Sequence, residues 1–261
     1  MRELYIFVTT DRPDQYLNSI VHCIEEGTKK IVFVQVENNS IEQVQLNILK
    51  NNVYDLLHNL SEGCYKYYTG KHKGLLVKLN DKYSNDELTN LKVKYSRCLK
   101  DDIDWTKDRV SYLNLRSYIS TLSKNKNVFF DVTAISKIYI GDIFACSLVE
   151  DINNLCTFEL LVKPNFDEPW KTLIHDLAVK KLYKYINLVE TPIFKNSRKS
   201  ILIRTTPLFI SILGTLLFIG IAITATFFFG FSSVFIQSIS TIAAVLGIIS
   251  FFLIYFPIRS K

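Results

Sequence analysis

The chain has 261 residues, and its 31 basic and 25 acidic side chains give a formal net charge of +6. This mild balance does not indicate a protein that binds duplex nucleic acid mainly through its charge. The five cysteines form no paired motif and the four histidines form no metal-ligand spacing, so no metal or other cofactor is predicted. The length allows one domain with a sizeable core in front of a long apolar C-terminal region.

The first predicted elements are a strand, a helix and a second strand. Residues 3–9 (ELYIFVT) form a short apolar run rich in aromatic and β-branched residues, which predicts a buried strand. After a loop at 10–14, a helix is predicted to about Glu26, and a second strand is predicted at 30–36. Because the loops are short, we expect a βαβ unit with parallel strands.

The next stretch is predicted to be mostly helical. The pattern Ser40-x-x-Gln43 predicts a capping box at the start of one helix, and Ser84-x-x-Glu87 predicts a second one. Between these helices, two short apolar runs at 64–68 and 75–79 predict a β-hairpin with two glycines in its turn. After the acidic stretch at 101–104, a further helix is predicted to about Ser123.

Strands and helices then alternate up to the apolar region. Strands are predicted at 128–132 and 156–162, helices at 135–149 and about 169–185, and an extended segment at 187–194. This alternation predicts an α/β fold with a Rossmann-like, mainly parallel sheet and helices on both faces. We interpret residues 1–194 as a cytosolic ligand-sensing domain.

The C-terminal region predicts a transmembrane hairpin. No residue from Thr205 to Ile258 is charged, and about 20 apolar residues suffice to cross a membrane. We predict spans at 207–229 and 233–256, joined by a turn at 230–232 and preceded by a basic linker at 195–206. The alternative, a buried hairpin in the core of a large globular protein, conflicts with so long an uncharged run in a domain of this size.

The basic residues near the predicted spans indicate their orientation. Lys195, Arg198, Lys199 and Arg204 precede the first span, and Arg259 and Lys261 follow the second, whereas the predicted turn has no Lys or Arg. Basic flanks remain on the cytoplasmic side. The sequence therefore predicts a multi-pass protein of the inner (cell) membrane with both termini in the cytoplasm.

Polar residues follow two of the predicted strands. In open parallel sheets, ligands bind at the carboxyl ends of strands near helix N-termini, where backbone donors favour anions. Thr133 and Ser136 can donate hydroxyl hydrogen bonds there, and Lys137 adds a positive charge. The alternative is ordinary structure, in which Thr133 caps the helix, Asp131 orders the turn and Lys137 is solvated. The predicted ligand-binding residues are Thr9, Thr10, Asp11, Arg12, Asp131, Thr133, Ser136 and Lys137.

These stretches carry a family resemblance over roughly residues 1–165. A strand that ends in Asp131-Val132-Thr133, followed by Ser136-Lys137 at a helix start, resembles the second ligand-binding motif of CARF and SAVED domains. The Thr9-Thr10 pair is similar to their first motif, whereas Ala134-Ile135 stands where a glycine is often found. The resemblance implies a Rossmann-like sensor of cyclic oligonucleotides from bacterial antiphage systems, in which some such domains are fused to transmembrane helices.

Together these features predict a membrane-anchored effector of bacterial antiviral defence. The cytosolic domain would bind a cyclic nucleotide or oligonucleotide and control pore formation or disruption of the lipid bilayer by the hairpins. A conducting pore needs more spans than a dimer supplies, so a homo-oligomer is expected, and a nucleotide cyclase encoded nearby would be a partner.

Two alternatives from other classes remain. One is a membrane-tethered nucleotide hydrolase that acts at Asp131, Thr133 and Lys137, and the other is a membrane anchor or scaffold without a ligand. The sequence contains no P-loop, GxGxxG, HExxH or GxSxG motif, and no catalytic residue is predicted.

Overall fold

A computed structural model describes residues 1–38, 43–100, 102–150, 152–202 and 205–230, together with 234, 238, 242–243 and 245–247; beyond residue 198 side chains are described only in part. The chain divides into two compact units, Met1–Lys195 and Asn196–Lys261. The helices and strands described are β1 (Arg2–Val8), α1 (Asp14–Glu25), β2 (Thr28–Glu37), α2 (Leu46–Ser61), β3 (Cys64–Lys66), β4 (Leu76–Lys78), α3 (Asn85–Arg97), β5 (Asp104–Ser111), α4 (Leu115–Ser123), β6 (Val128–Asp131), α5 (Lys137–Val149), β7 (Leu155–Leu160), α6 (Ile174–Lys180), β8 (Tyr183–Asn187), α7 (Pro192–Leu202) and α8 (Thr205–Phe229).

The first unit is built on a six-stranded sheet with the order β5-β2-β1-β6-β7-β8. The first five strands in this order are parallel, and β8 pairs antiparallel with β7 at the edge. The chain moves outward from β1 to β2 and β5, and then returns to the other side of β1 with β6. The predicted α/β fold with a mostly parallel sheet is therefore confirmed.

Two hydrophobic clusters cover the two faces of this sheet. Alternate side chains of β1 point to opposite faces, so Leu4 and Ile6 pack with α1, α2 and α6, whereas Tyr5 and Phe7 pack with α4 and α5. Both faces of the central strands are buried, as expected for parallel strands that are covered by crossover helices. The predicted βαβ unit, the β3–β4 hairpin and the capping box of Ser84 with Glu87 are all present.

Two predicted helices are partly strands. Residues 104–111, predicted as the beginning of a helix, form β5, an edge strand that pairs only with β2 among the described strands and carries mostly polar side chains. The helix predicted at about 169–185 is instead a 3₁₀ turn, the short helix α6 and the edge strand β8. Lys181 adopts a left-handed conformation with φ of 54°, which ends α6 and allows the chain to turn into β8.

Other element boundaries also differ from the prediction. The segment predicted as extended at 187–194 contains a 3₁₀ turn and the first turn of α7. Helix α2 begins at Leu46, after Gln45, whose side chain makes no capping hydrogen bond. The predicted capping residue Ser40 lies outside the described residues.

In the second unit, α8 is a 25-residue helix without a charged side chain. Gly230, at the predicted turn, follows it with a positive φ of 73°. Counted over the described residues alone, the chain has no helix that is both long and apolar enough to cross a membrane. Most of the predicted second span, 233–256, lies outside the described residues.

Candidate functional site

The loops that follow β1 and β6 meet at the carboxyl edge of the sheet. These strands are neighbours, with Ile6 paired to Asp131, and the sheet order reverses between them. The Thr9 hydroxyl donates a hydrogen bond of 2.7 Å to the carbonyl oxygen of Ala134, which joins the two loops directly. In an open α/β sheet, such a topological switch point is where a crevice for ligands forms.

The first loop is held in shape by a buried tyrosine on α1. The Tyr16 hydroxyl accepts hydrogen bonds of 3.1 Å from the backbone N–H groups of both Thr9 and Thr10, and donates one of 3.0 Å to the Thr10 carbonyl. Tyr16 is 1% exposed, so this anchor is rigid. Tyr16 was not among the predicted site residues, because this role depends on where the fold places its hydroxyl.

The polar side chains of this loop contact the start of α1. The Thr10 hydroxyl donates to Gln15 at 2.9 Å, and the Arg12 guanidinium forms an ion pair with Asp14 at the same distance. Asp11 is exposed. A ligand that uses the positive charge of Arg12 would therefore compete with Asp14 for it.

Asp131, at the end of β6, is a buried carboxylate whose two oxygens are both occupied. One oxygen accepts the Thr133 backbone N–H at 2.9 Å, and the other accepts the Tyr185 hydroxyl at 2.9 Å. Burial raises the pKa of Asp131, although these hydrogen bonds oppose the shift. Asp131 therefore links the β6 loop to the edge strand β8 from a buried position.

Thr133 is engaged in the same way. Its hydroxyl accepts the backbone N–H of Phe158 at 2.8 Å and lies 3.3 Å from the Ser19 hydroxyl, so it ties the β6 loop to β7 and α1. Thr133 does not cap α5, because the N-cap position is Ser136. The ordinary capping role considered for Thr133 is thus wrong, while the turn-ordering role of Asp131 agrees with its hydrogen bonds.

Ser136 and Lys137 have the polar side chains of this loop that are least engaged in hydrogen bonds within the protein. Ser136 occupies the N-cap of α5 but its side chain makes no capping hydrogen bond, and Lys137 is exposed at the first position of the helix. The unpaired N–H groups and dipole of a helix N-terminus attract negative charge. An anion at this edge would therefore meet the Ser136 hydroxyl, the Lys137 ammonium and the end of α5.

A cleft of about 230 Å³ opens beside the junction of the loops, on the α1 face of the sheet. Gln15 and Asn18 of α1 and Thr133 line it, together with aromatic residues that were not predicted as site residues. These are Tyr65, Phe158 and Phe166, of which Phe166 is 80% exposed. They come from separate parts of the chain, so no local pattern in the sequence indicates that they lie together.

No protein-family model matches this chain, and neither a curated protein nor a solved structure matches it significantly. Within the described part of the chain, no group of three or more His, Cys, Asp or Glu side chains is placed to hold a metal ion.

Proposed function

We propose that this protein is a membrane-anchored effector whose α/β domain binds a cyclic nucleotide-type anion and thereby controls the membrane-embedded hairpins. The observation that carries the proposal is the direct junction of the β1 and β6 loops at the switch point of the sheet. This junction brings together the two stretches that resemble the ligand-binding motifs of CARF and SAVED domains. Bacterial antiviral defence is the setting that this resemblance implies.

The ligand contacts are assigned to the groups that the protein leaves available. These are the Ser136 hydroxyl and the Lys137 ammonium, and the Arg12 guanidinium once it has left Asp14. Asp131, Thr133 and Thr9 hold the loops in place through hydrogen bonds within the protein. The cleft lined by Phe158 and Phe166 offers apolar surface beside these polar groups, which suits a molecule that combines phosphates with flat bases.

The membrane part of the proposal rests on the sequence. The chain has no charged residue from Thr205 to Ile258, and basic residues flank this run on both sides. Two apolar spans of about 20 residues fit into it. Both ends of the hairpin then face the cytoplasm, on the side of the α/β domain.

Exposed apolar residues on α5 support assembly of several copies. Ile138 and Val149, which are 58% and 47% exposed, are eleven residues apart and so lie on the same side of the helix that begins at the ligand-binding edge. A second copy that covers this surface would bring two switch points into one assembly. A ligand with different affinity for the separate and assembled states would then shift the balance between them.

The hydrolase alternative has less support. Asp131 is 1% exposed, and both of its oxygens accept hydrogen bonds, so it is not placed to activate a water molecule on a nucleotide. Thr133 is likewise held by the Phe158 N–H. Measuring turnover of labelled nucleotides alongside binding would distinguish the two functions.

The test is binding of cyclic di- and oligonucleotides to the full chain in lipid nanodiscs, measured by calorimetry. We expect at least one of these ligands to bind, and Lys137→Ala to weaken its affinity about tenfold, because a charge-assisted contact contributes roughly 1.5–3 kcal/mol.

Lys126→Ala is the matched control, because Lys126 is an exposed lysine in the turn before β6, at the opposite edge of the sheet. It should leave the affinity unchanged. An equal loss in both variants, or no binding of any cyclic nucleotide, would contradict the proposal.

A further inference from the structure

A second pocket, formed between α3 and α6, shares no lining residue with the cleft at the switch point. Its volume is about 570 Å³. Leu91, Ala178 and Val179 give it an apolar part, and Val179 is 82% exposed at its surface. The charged and polar lining consists of Lys82, Tyr83, Glu87, Asn90, Lys94, Lys171, His175, Asp176 and Lys180.

A chain of three hydrogen-bonding side chains leads from the core to this pocket. The hydroxyl of Tyr95, which is 0% exposed, lies 2.8 Å from His175 Nδ1. On the other side of the ring, His175 Nε2 lies 3.1 Å from the Tyr83 hydroxyl. His175 is 9% exposed, and Tyr83 is half-buried at the wall of the pocket.

The direction of these hydrogen bonds follows from the available donors and acceptors. Tyr95 is fully buried, and the hydrogen-bond partner of its hydroxyl within the described residues is His175 Nδ1. A buried hydroxyl proton without an acceptor is costly, and His175 Nδ1 is the acceptor at hydrogen-bonding distance. Nδ1 therefore carries no proton of its own.

The remaining proton of the ring must then lie on Nε2. Burial, together with the charges of Lys94 and Lys180, lowers the pKa of His175 to about 3, so the ring is neutral at physiological pH. A neutral imidazole carries one proton, and with Nδ1 unprotonated this proton is on Nε2. Nε2–H donates to the Tyr83 oxygen, and the Tyr83 hydroxyl proton is left free to donate to a molecule in the pocket.

Carboxylates and lysines both surround this free donor: the charges of Asp176, Glu87 and Glu168 act on Tyr83, and four lysines line the pocket. Asp176 already pairs with Lys180 at 2.9 Å, and Glu87 is held by Ser84 in the capping box of α3.

Lys82 has no ion pair among the described residues. Lys94 and Lys171 pair with carboxylates outside the lining, Glu25 and Glu168. Partly exposed pairs of this kind contribute little, so these lysines can turn to a ligand at small cost.

We infer that this pocket binds a small organic anion with an apolar body. The Tyr83 hydroxyl donates to an oxygen of its carboxylate or phosphate, and Lys82 with the neighbouring lysines balances the charge. Leu91 and Val179 contact its carbon part. The site is separate from the one proposed at the switch point, and it does not depend on cyclic nucleotide binding.

The test uses three fluorinated probes with the full chain in nanodiscs, and follows their ¹⁹F NMR relaxation. The probes are 4-(trifluoromethyl)benzoate, 4-(trifluoromethyl)phenyl phosphate and the neutral 4-(trifluoromethyl)benzyl alcohol, with empty nanodiscs as the background. We expect at least one anion to bind more tightly than the alcohol, and the stronger anion identifies the preferred head group.

Tyr83→Phe removes the hydroxyl that donates to the anion and accepts from His175, and it should weaken binding of that anion about tenfold. Tyr54→Phe, at an exposed tyrosine of α2 outside this pocket, should leave its affinity unchanged. A cooperative urea unfolding transition in Tyr83→Phe would show that the variant is folded. Absence of binding by both anions, equal binding of the alcohol, or full affinity in Tyr83→Phe would overturn the inference.

Discussion

The hydrogen bond from Tyr185 to Asp131 joins strand β8 to the end of β6. Tyr185→Phe removes one hydroxyl and leaves an oxygen of the buried carboxylate without its donor. We expect a loss of about 1–3 kcal/mol in the free energy of unfolding. Urea unfolding of the full chain can be followed by tryptophan fluorescence, because both tryptophans, Trp105 and Trp170, lie in the first unit.

The chain offers a matched control for this substitution. Tyr112 donates to Asp142 at 2.8 Å, but on the surface, where water can replace the hydroxyl. Tyr112→Phe should therefore change the free energy of unfolding by less than about 0.5 kcal/mol. Equal effects of the two variants would mean that burial does not set the strength of the Tyr185–Asp131 contact.

The effect of Tyr185→Phe should also depend on pH. Burial raises the pKa of Asp131 above its ordinary value of 3.8, so the native state binds this proton more tightly than the unfolded chain does. The carboxyl group thus stabilises the fold most below that value, and this contribution is lost as the pH rises through the raised pKa. Loss of the Tyr185 donor raises the pKa further, so the variant should lose more stability at pH 7 than at pH 4.

At the residue scale, the sequence predicted where the polar loops lie but not what their side chains do. Thr133 and Ser136 are equivalent as hydroxyl donors in the sequence. In the structure, the Thr133 hydroxyl is used by the Phe158 N–H, whereas the Ser136 side chain makes no capping bond. This difference depends on the neighbouring strand β7, which no pattern within the loop specifies.

Among the helices and strands, the start of α3 was predicted correctly from a local sequence pattern. Ser84 caps α3 as its pattern predicts, since its side chain accepts the Glu87 N–H and Glu87 accepts the Ser84 N–H. We expect Ser84→Ala to lower the free energy of unfolding by about 1 kcal/mol. Ser96→Ala, an exposed site near the other end of α3, should have little effect in the same urea experiment. Equal losses would show that the capping box does not stabilise the helix.

Two of the mispredicted elements are the edge strands β5 and β8. A central strand such as β1 is buried on both faces and has a nearly continuous apolar sequence, whereas β5 has the sequence DWTKDRVS, with four of its eight residues exposed and only Val110 buried. Leu182, just before β8, and Tyr185 within it continue the three-to-four spacing of the preceding helix. The left-handed turn at Lys181 separates α6 from β8, and because this residue is not a glycine, the sequence did not indicate a turn there.

For the whole molecule, our proposal is that ligand binding by the α/β domain controls a membrane-embedded hairpin. The sheet order that brings the β1 and β6 loops together supports ligand binding, and the uncharged run from Thr205 to Ile258 supports the membrane hairpin.

The most direct measurement is dye release from vesicles that contain the reconstituted full chain, after addition of cyclic di- and oligonucleotides. Our account predicts release with the ligand that binds, and much less release from Lys137→Ala than from Lys126→Ala. A chain that stays in solution without detergent, or vesicles that remain sealed with a bound ligand, would contradict it.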